Sequence, residues 1–223
     1  MKFFYKVLLI VVAINLFIPA AYIFSKNNKF YISEKSLKYM EQKYGIFAKR
    51  RMEALLNLMN SLKNVKDEMT ILTKVNDFFN RVPYKTDMQV WGVKDYWATR
   101  MEFLGKDAGD CEDYVIAKYF TLIQLGIPKE KLFFTYAKSK IYKTAHMVLT
   151  YFPTPKSIPL VLGNYNRKIL PATKRKDLIP IANFRGDEIY LAKQRGLGKQ
   201  VPPGRKVSKK WNDMINRIRS IEQ

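Results

Sequence analysis

The stretch Lys106-Asp-Ala-Gly-Asp-Cys-Glu-Asp-Tyr114 holds the only cysteine of the 223-residue chain, crowded by carboxylates where a helix should begin. Gly105 and Gly109 read as permitting a tight turn and Asp110 as an N-cap, and the run from Tyr114 to Leu125 stays apolar-rich until Gly126 and Pro128 stop it. Cys111 therefore falls in the first turn of a buried helix. Unpaired backbone N–H groups there favour negative charge and help a thiol become the nucleophilic thiolate. A lone cysteine is more ordinarily a small buried hydrophobe, so its surroundings must decide.

Downstream of that helix, three runs have strand character, over residues 131–137, 145–152 and 159–162, separated by polar or proline-rich turns. A helix packed on antiparallel strands gives an α+β architecture. Upstream, Leu37, Met40, Tyr44, Phe47, Met52, Leu55, Leu56 and Met59 recur at roughly helical spacing, which predicts one helix over 33–63 or two broken near Gly45. Another is predicted over 66–80, ending before Pro83, with Met69, Leu72, Val75, Phe78 and Phe79 inward. Helical spacing fails over 82–100, where Trp91, Gly92, Tyr96 and Trp97 predict an ordered aromatic loop of the kind that lines a site. Residues 167–207 are rich in Lys, Arg, Gly and Pro, with one strand predicted near 188–191; Trp211, Met214, Ile215 and Ile218 then mark an amphipathic C-terminal helix.

His146 is the only histidine, and strand alternation in Thr144-Ala-His-Met-Val-Leu-Thr150 puts it on the face of Val148 and Thr150. Alone, a strand histidine is more ordinarily structural. A thiol nucleophile needs a base, however, and a sole histidine on an element that would pack against the cysteine helix makes the pair a candidate for covalent acyl transfer.

Composition bounds the rest. With 48% hydrophobic and 14% aromatic residues the chain has ample material for a packed core, so it is globular. A formal charge of +21 implies an acidic partner, whether an anionic membrane surface, an acidic protein or nucleic acid. One cysteine excludes an intrachain disulfide. Lys2 and Lys6 precede an apolar run from Val7 to Phe24, which reads as an export signal. No clean Ala-x-Ala follows it, and the run is nearly long enough to span a bilayer as an uncleaved anchor. Either way the remainder is expected in the periplasm, free or anchored at the inner membrane. Export disfavours nucleic acid as a partner, and no recognition motif for it is present.

The motifs Asn76-Asp-Phe-Phe-Asn80, Val82-Pro-Tyr84, Trp91-Gly-Val-Lys-Asp-Tyr-Trp97, Glu102-Phe-Leu104, Gly109-Asp-Cys-Glu-Asp-Tyr114, Ala117-Lys-Tyr-Phe120, Leu125-Gly-Ile-Pro128, His146-Met-Val-Leu149 and Leu160-Val-Leu162 occur in that order. Together they resemble the bacterial transglutaminase-like cysteine peptidases, LapG-type periplasmic adhesin proteases among them, over about residues 30–190. The resemblance implies a papain-like α+β fold with helices packed on an antiparallel sheet, a Cys-His-Asp triad, calcium dependence and cleavage of a large surface adhesin that controls biofilm attachment. It also implies a cyclic-di-GMP-responsive inner-membrane receptor as partner. Residues 1–28 are then the signal peptide or anchor, 29–195 the peptidase domain and 196–223 a basic extension with an amphipathic helix.

By this resemblance Cys111 is the nucleophile and His146 the general base. The third member departs: the family pattern Leu-Val-Leu-Asp-Asn reads Leu160-Val-Leu-Gly-Asn164 here, so Gly163 stands at the triad aspartate. Loss of such a group can cost several powers of ten in rate. Asn164 is the candidate substitute, although neighbours on a regular strand point to opposite faces; Tyr165 shares the parity of position 163. A glycine also permits a bulge that would re-aim the next residue. The alternative is a catalytically degenerate relative that binds protein without cutting it. Acyl transfer to an amine and a basic membrane-surface scaffold are further rivals.

Asp110, Glu112 and Asp113 surround a thiol that must ionise, and like charges nearby oppose that. Helix capping alone would account for such residues. A calcium ion on hard carboxylate oxygens would offset them, and the resemblance assigns Asp110 and Glu112 as ligands with Asp113 as a third. The basic segments 174–176 and 205–210 are ordinarily solvated surface; near an anchor they would meet anionic headgroups or an acidic adhesin.

Overall fold

The computed structural model describes residues 23–26, 29–186, 188–193, 195–202 and 205–220. In chain order these form β1 (Ile23–Lys26), β2 (Lys29–Ile32), α1 (Glu34–Tyr44), α2 (Ile46–Leu62), α3 (Glu68–Phe79), α4 (Asp87–Trp91), α5 (Arg100–Lys106) and α6 (Cys111–Gln124). Then come β3 (Leu132–Ser139), β4 (Ala145–Tyr151), β5 (Leu160–Leu162), β6 (Leu170–Pro171), β7 (Leu178–Arg185), β8 (Glu188–Ala192), β9 (Leu197–Val201) and α7 (Arg205–Ser220). β1 and β2 pair with each other, and the other seven strands form one antiparallel sheet in the order β6-β5-β4-β3-β7-β8-β9. This is the α+β architecture expected. Of the segment expected as signal or anchor, residues 1–22 and 27–28 lie outside the described residues. No described helix is long and apolar enough to cross a membrane.

The break between α1 and α2 falls at Gly45, whose φ of 89° suits glycine and whose N–H closes α1 on the Glu41 carbonyl at 2.8 Å. Asp67 caps α3 by accepting the N–H groups of Met69 and Thr70 at 3.3 and 2.9 Å. Met40, Met52, Leu55, Met59, Leu72, Val75 and Phe79 are fully buried, each stabilising the helical layer by about 1.5–3 kcal/mol. Two expected core residues are not there: Phe47 is 66% exposed and Met69 42% exposed. Both sit in the first turn of their helix, and the Gly45 break resets the helical phase on which Phe47 was placed.

The predicted aromatic loop over 82–100 contains one short helix, α4, and leads into another, α5. Thr86 and Thr99 start them, with Gln89 accepting the Thr86 N–H at 3.0 Å and Glu102 accepting the Thr99 N–H at 2.8 Å. Five and seven residues are too few for apolar periodicity to show.

β3 and β4 are the centre of the sheet. Met147, Leu149 and Tyr151 belong to the main core, and α6 packs on β4. Five strands were not predicted: β1, β2, β6, β7 and β9. β7 carries Pro180, which the sheet tolerates because the register with β3 shifts between Tyr136 and Ala137 at that point. β9 is a polar, glycine-containing edge. Within the basic extension expected over 196–223, the described residues form β9 and α7. β9 completes the sheet, and α7 buries Met214, Ile215 and Ile218 while Trp211 stacks on Phe120 of α6 at 5.9 Å and meets Phe134 edge-on.

Candidate active site

Cys111 is the first residue of α6, with Asp110 at the cap position, as the sequence predicts. The turn itself is made differently. The left-handed residue is Asp107, with φ 50°, whereas both glycines answer to close packing. A Cβ on Gly105 would lie 2.6 Å from the Tyr44 ring, and one on Gly109 only 2.4 Å from Asp113 Oδ2. Asp113 is buried and accepts the backbone N–H of Ala98 at 2.8 Å and of Asp110 at 3.2 Å. It thus ties the start of α6 to the segment before α5.

The thiol is half-buried and donates to Glu112 Oε2 at 3.1 Å. Burial, then the charges of Glu112 and Asp110, push it well above its ordinary range; the Met147 backbone N–H, directed at Sγ, opposes them in part. In this state the sulfur is a weak nucleophile.

Asp87 in the first turn of α4 completes an acidic cluster that sequence reasoning missed. Asp87, Asp110 and Asp113 each bring a carboxylate oxygen within 4.8 Å of the others, and Asp110, Cys111 and Glu112 likewise converge. Asp87 Oδ2 accepts the Tyr96 N–H at 2.5 Å, but Asp87 Oδ1 and Asp110 Oδ1 are buried with no partner among the described residues. Burial and mutual repulsion raise Asp87 to about 6 and Asp110 to about 10, and raise Asp113 as well. Two orphaned carboxylate oxygens in an all-oxygen group fit a hard divalent cation such as calcium. The readable signal for Asp87 was the capping pattern Thr86-Asp-Met-Gln89, which places an acidic residue in a first turn.

His146 is 1% exposed at the start of β4 and lies face to face with Tyr165, ring centroids 4.0 Å apart. Neither ring nitrogen has a hydrogen-bond partner among the described residues. Burial first, then the positive charge of Arg175, lowers the imidazole to about 4. Cys111 and His146 thus lie on the packed pair α6 and β4, but no hydrogen bond joins them here.

Gly163 follows the last residue of β5. Its carbonyl accepts from Asn80 Nδ2 at 3.0 Å and from the fully buried Lys118 Nζ at 3.2 Å, and Lys118 also donates to Asn80 Oδ1 at 2.8 Å. Asn164 makes no hydrogen bond to His146 here, and its Oδ1 is buried with no partner among the described residues. The Gly163 carbonyl is thus held by Asn80 at the end of α3 and by Lys118 of α6. Tyr165 covers the imidazole face and does not bond its edge. The charged residue nearest the vacant side-chain position is Arg175.

Against known proteins, the model of the bacterial transglutaminase-like cysteine proteinases matches residues 48–176. The solved structure of Legionella pneumophila LapG is 40% identical, with a TM-score of 0.69 over 83% of this chain and 96% of that one. Its calcium-bound form is 40% identical, with a TM-score of 0.70 over 84% and 99%. An EGTA-treated form is 41% identical, with a TM-score of 0.69 over 83% and 96%. No curated protein matches. The matched span runs from α2 to the approach to β7 and includes Cys111, His146 and all four acidic residues around them; the chain belongs to the bacterial transglutaminase-like cysteine proteinase family.

Proposed function

We propose that this protein is an exported, calcium-dependent cysteine endopeptidase that cleaves an extended segment of a large surface adhesin or other envelope protein, and so controls attachment. Cys111 Sγ attacks the scissile carbonyl, and His146 passes the thiol proton to the leaving amine as the C–N bond breaks. Water then hydrolyses the thioester. Asp87, Asp110, Glu112 and Asp113 would hold calcium, which when bound supplies the positive charge that lets the neighbouring thiol ionise. The observation that carries this reading is the half-buried thiol at the start of α6 beside two unpartnered buried carboxylate oxygens. The calcium-bound form of a relative 40% identical supports it. A periplasmic location, tethered or free, and control by a cyclic-di-GMP-responsive membrane receptor belong to the same proposal.

The test is release of large surface proteins from cells by the purified protein. Release with calcium, lost with EGTA and lost in Cys111→Ser, is the expected result; equal release by Cys111→Ser would end the proposal. A second reading, a relative that binds but does not cut, is favoured by Gly163 and the unpartnered imidazole. Iodoacetamide separates the two, because a binding module would leave Cys111 no more reactive than a free thiol even with calcium.

A further inference from the structure

Beside His146 the chain holds a buried cation that faces a missing side chain. Arg175 is 3% exposed; its Nε and Nη2 donate to the two Asp177 carboxylate oxygens at 2.9 and 2.7 Å, and its Nη1 is buried with no partner. A Cβ on Gly163 would lie 3.6 Å from that Nη1, 3.3 Å from Val148 Cγ1 and 3.8 Å from the Asn166 carbonyl. Arg175 Nη1 and both ring nitrogens of His146 have no partner among the described residues, and the Arg175 charge acts on the imidazole. Leaving buried polar groups unmatched is expensive, and guanidinium can only donate. The shared deficit is an acceptor.

A pocket on the face of Val148 and Thr150 is bounded by Arg175. It is lined by Thr135, Val148, Thr150, Arg175, Asn183 and Lys193 among others. Thr135 bonds both Thr150 and Asn183 at 2.7 Å, so those three polar groups already satisfy one another, whereas Arg175 Nη1 does not have that provision.

We propose that Arg175 Nη1 anchors a small free carboxylate, of the size of formate or acetate, in the space Gly163 leaves open, where the same anion accepts the His146 ring N–H and orients the imidazole as the absent aspartate would. This rests on His146 being the base of the proposed protease. Two oxygens on one carbon can meet a guanidinium N–H and an imidazole N–H together. Formate and acetate carry the same group that an aspartate side chain at 163 would bring. Anion binding would also offset the Arg175 charge that lowers the imidazole, raising it toward its ordinary range.

His146 is the only histidine, so its ring signals in NMR are unambiguous. Formate would be titrated against chloride at fixed pH and ionic strength into Cys111→Ser protein, which separates binding from any cleavage activity. The expected result is a saturable movement of the His146 signals, absent in Arg175→Met and blocked by Gly163→Ala, whose Cβ fills the space. Gly163→Asp, which supplies the carboxylate from the chain, should start near the formate-bound position and move no further. A tetraglutamate peptide tests a side-chain source of the same group and should leave the buried ring unmoved. Movement with the peptide but not with formate, no saturable movement in the parent, or equal movement in Arg175→Met would overturn the proposal. If Arg175→Met does not fold, Gly163→Ala alone decides. Failure of cleavage with formate binding intact would reject the protease and leave the anion site standing.

Discussion

The two halves of the candidate site have opposite electrostatic deficits. Around Cys111, four carboxylates from α4 and the start of α6 crowd together, two of their oxygens lack a partner among the described residues, and Asp87, Asp110 and Asp113 hold their protons above the usual carboxylate range. Around His146, the buried charges are Arg175 and Lys118, and the unmatched groups are nitrogens. The nucleophile's side needs a cation, and the base's side needs an anion. Fold alone does not complete such a centre. Each half is a socket for a charge of the sign it lacks, and only when both are supplied would thiolate and imidazolium coexist.

The largest expected effect tests whether the halves act together at all. His146→Ala should lower calcium-dependent cleavage by roughly 10²–10⁴-fold, the range of a positioned acid/base, and Cys111→Ser should abolish it. A smaller loss in His146→Ala, measured by cleavage rate, would mean that the two sides are not one centre.

Next in size is Gly109→Ala. A Cβ placed 2.4 Å from Asp113 Oδ2 and 2.7 Å from Phe103 must push one of them aside, so thermal or urea unfolding should show a loss of about 1–3 kcal/mol. Calcium should stabilise this variant less than the parent, since Asp113 would be displaced. Gly163→Ala, on the other side, brings a Cβ to 3.3 Å from Val148 Cγ1, a side-chain atom that must give by only a few tenths of an ångström, and should cost less.

The acidic half also makes a pH prediction. Asp87 is raised to about 6 from an unfolded value near 4, so the folded state binds more protons between those values. Its contribution is present below about pH 4 and is lost as pH rises through about 6, which should make calcium-free protein less stable at pH 7 than at pH 4.5 by about 1–2 kcal/mol from this group. Asp87→Asn should flatten that slope in urea melts with EGTA. An unchanged slope would remove Asp87 from the cluster's electrostatics.

The basic half slopes the other way. Burial lowers Lys118 to about 7, so the unfolded chain binds its proton over a range where the folded one does not. The penalty is present below about pH 7 and is relieved as pH rises toward 10, and Lys118→Met should lose that relief. The smallest effect is expected far from both halves. Asp213→Ala breaks the exposed pair with Lys209 and should change stability by less than about 1 kcal/mol.

Much of the scaffold is legible in the sequence because apolar spacing reports burial. α1 to α3, α6, β3, β4 and β5 all announce themselves by period or by apolar runs, and Cys111 and His146 by being single. What escaped did so for physical reasons. α4 is held by its cap and by Asp87, not by an apolar stripe, so the fourth acidic residue was hidden in what reads as a loop. β7 carries a proline that only a register shift accommodates, and β9 is polar. Gly105 and Gly109 looked like turn residues, whereas what they provide is room for a tyrosine ring and a carboxylate. Arg175 is the sharpest case, because nothing local marks one arginine of a basic segment as the one that is buried.

The seam between α6 and α7 bears on timing. Trp211 lies against Tyr119, Phe120 and Phe134, and Arg217 donates to the Trp97 carbonyl and pairs with Glu102 at 3.5 Å, so residues 205–220 brace the helix that begins with Cys111. A chain still being synthesised presents Cys111 and His146 long before it presents that brace. Competence would then arrive late.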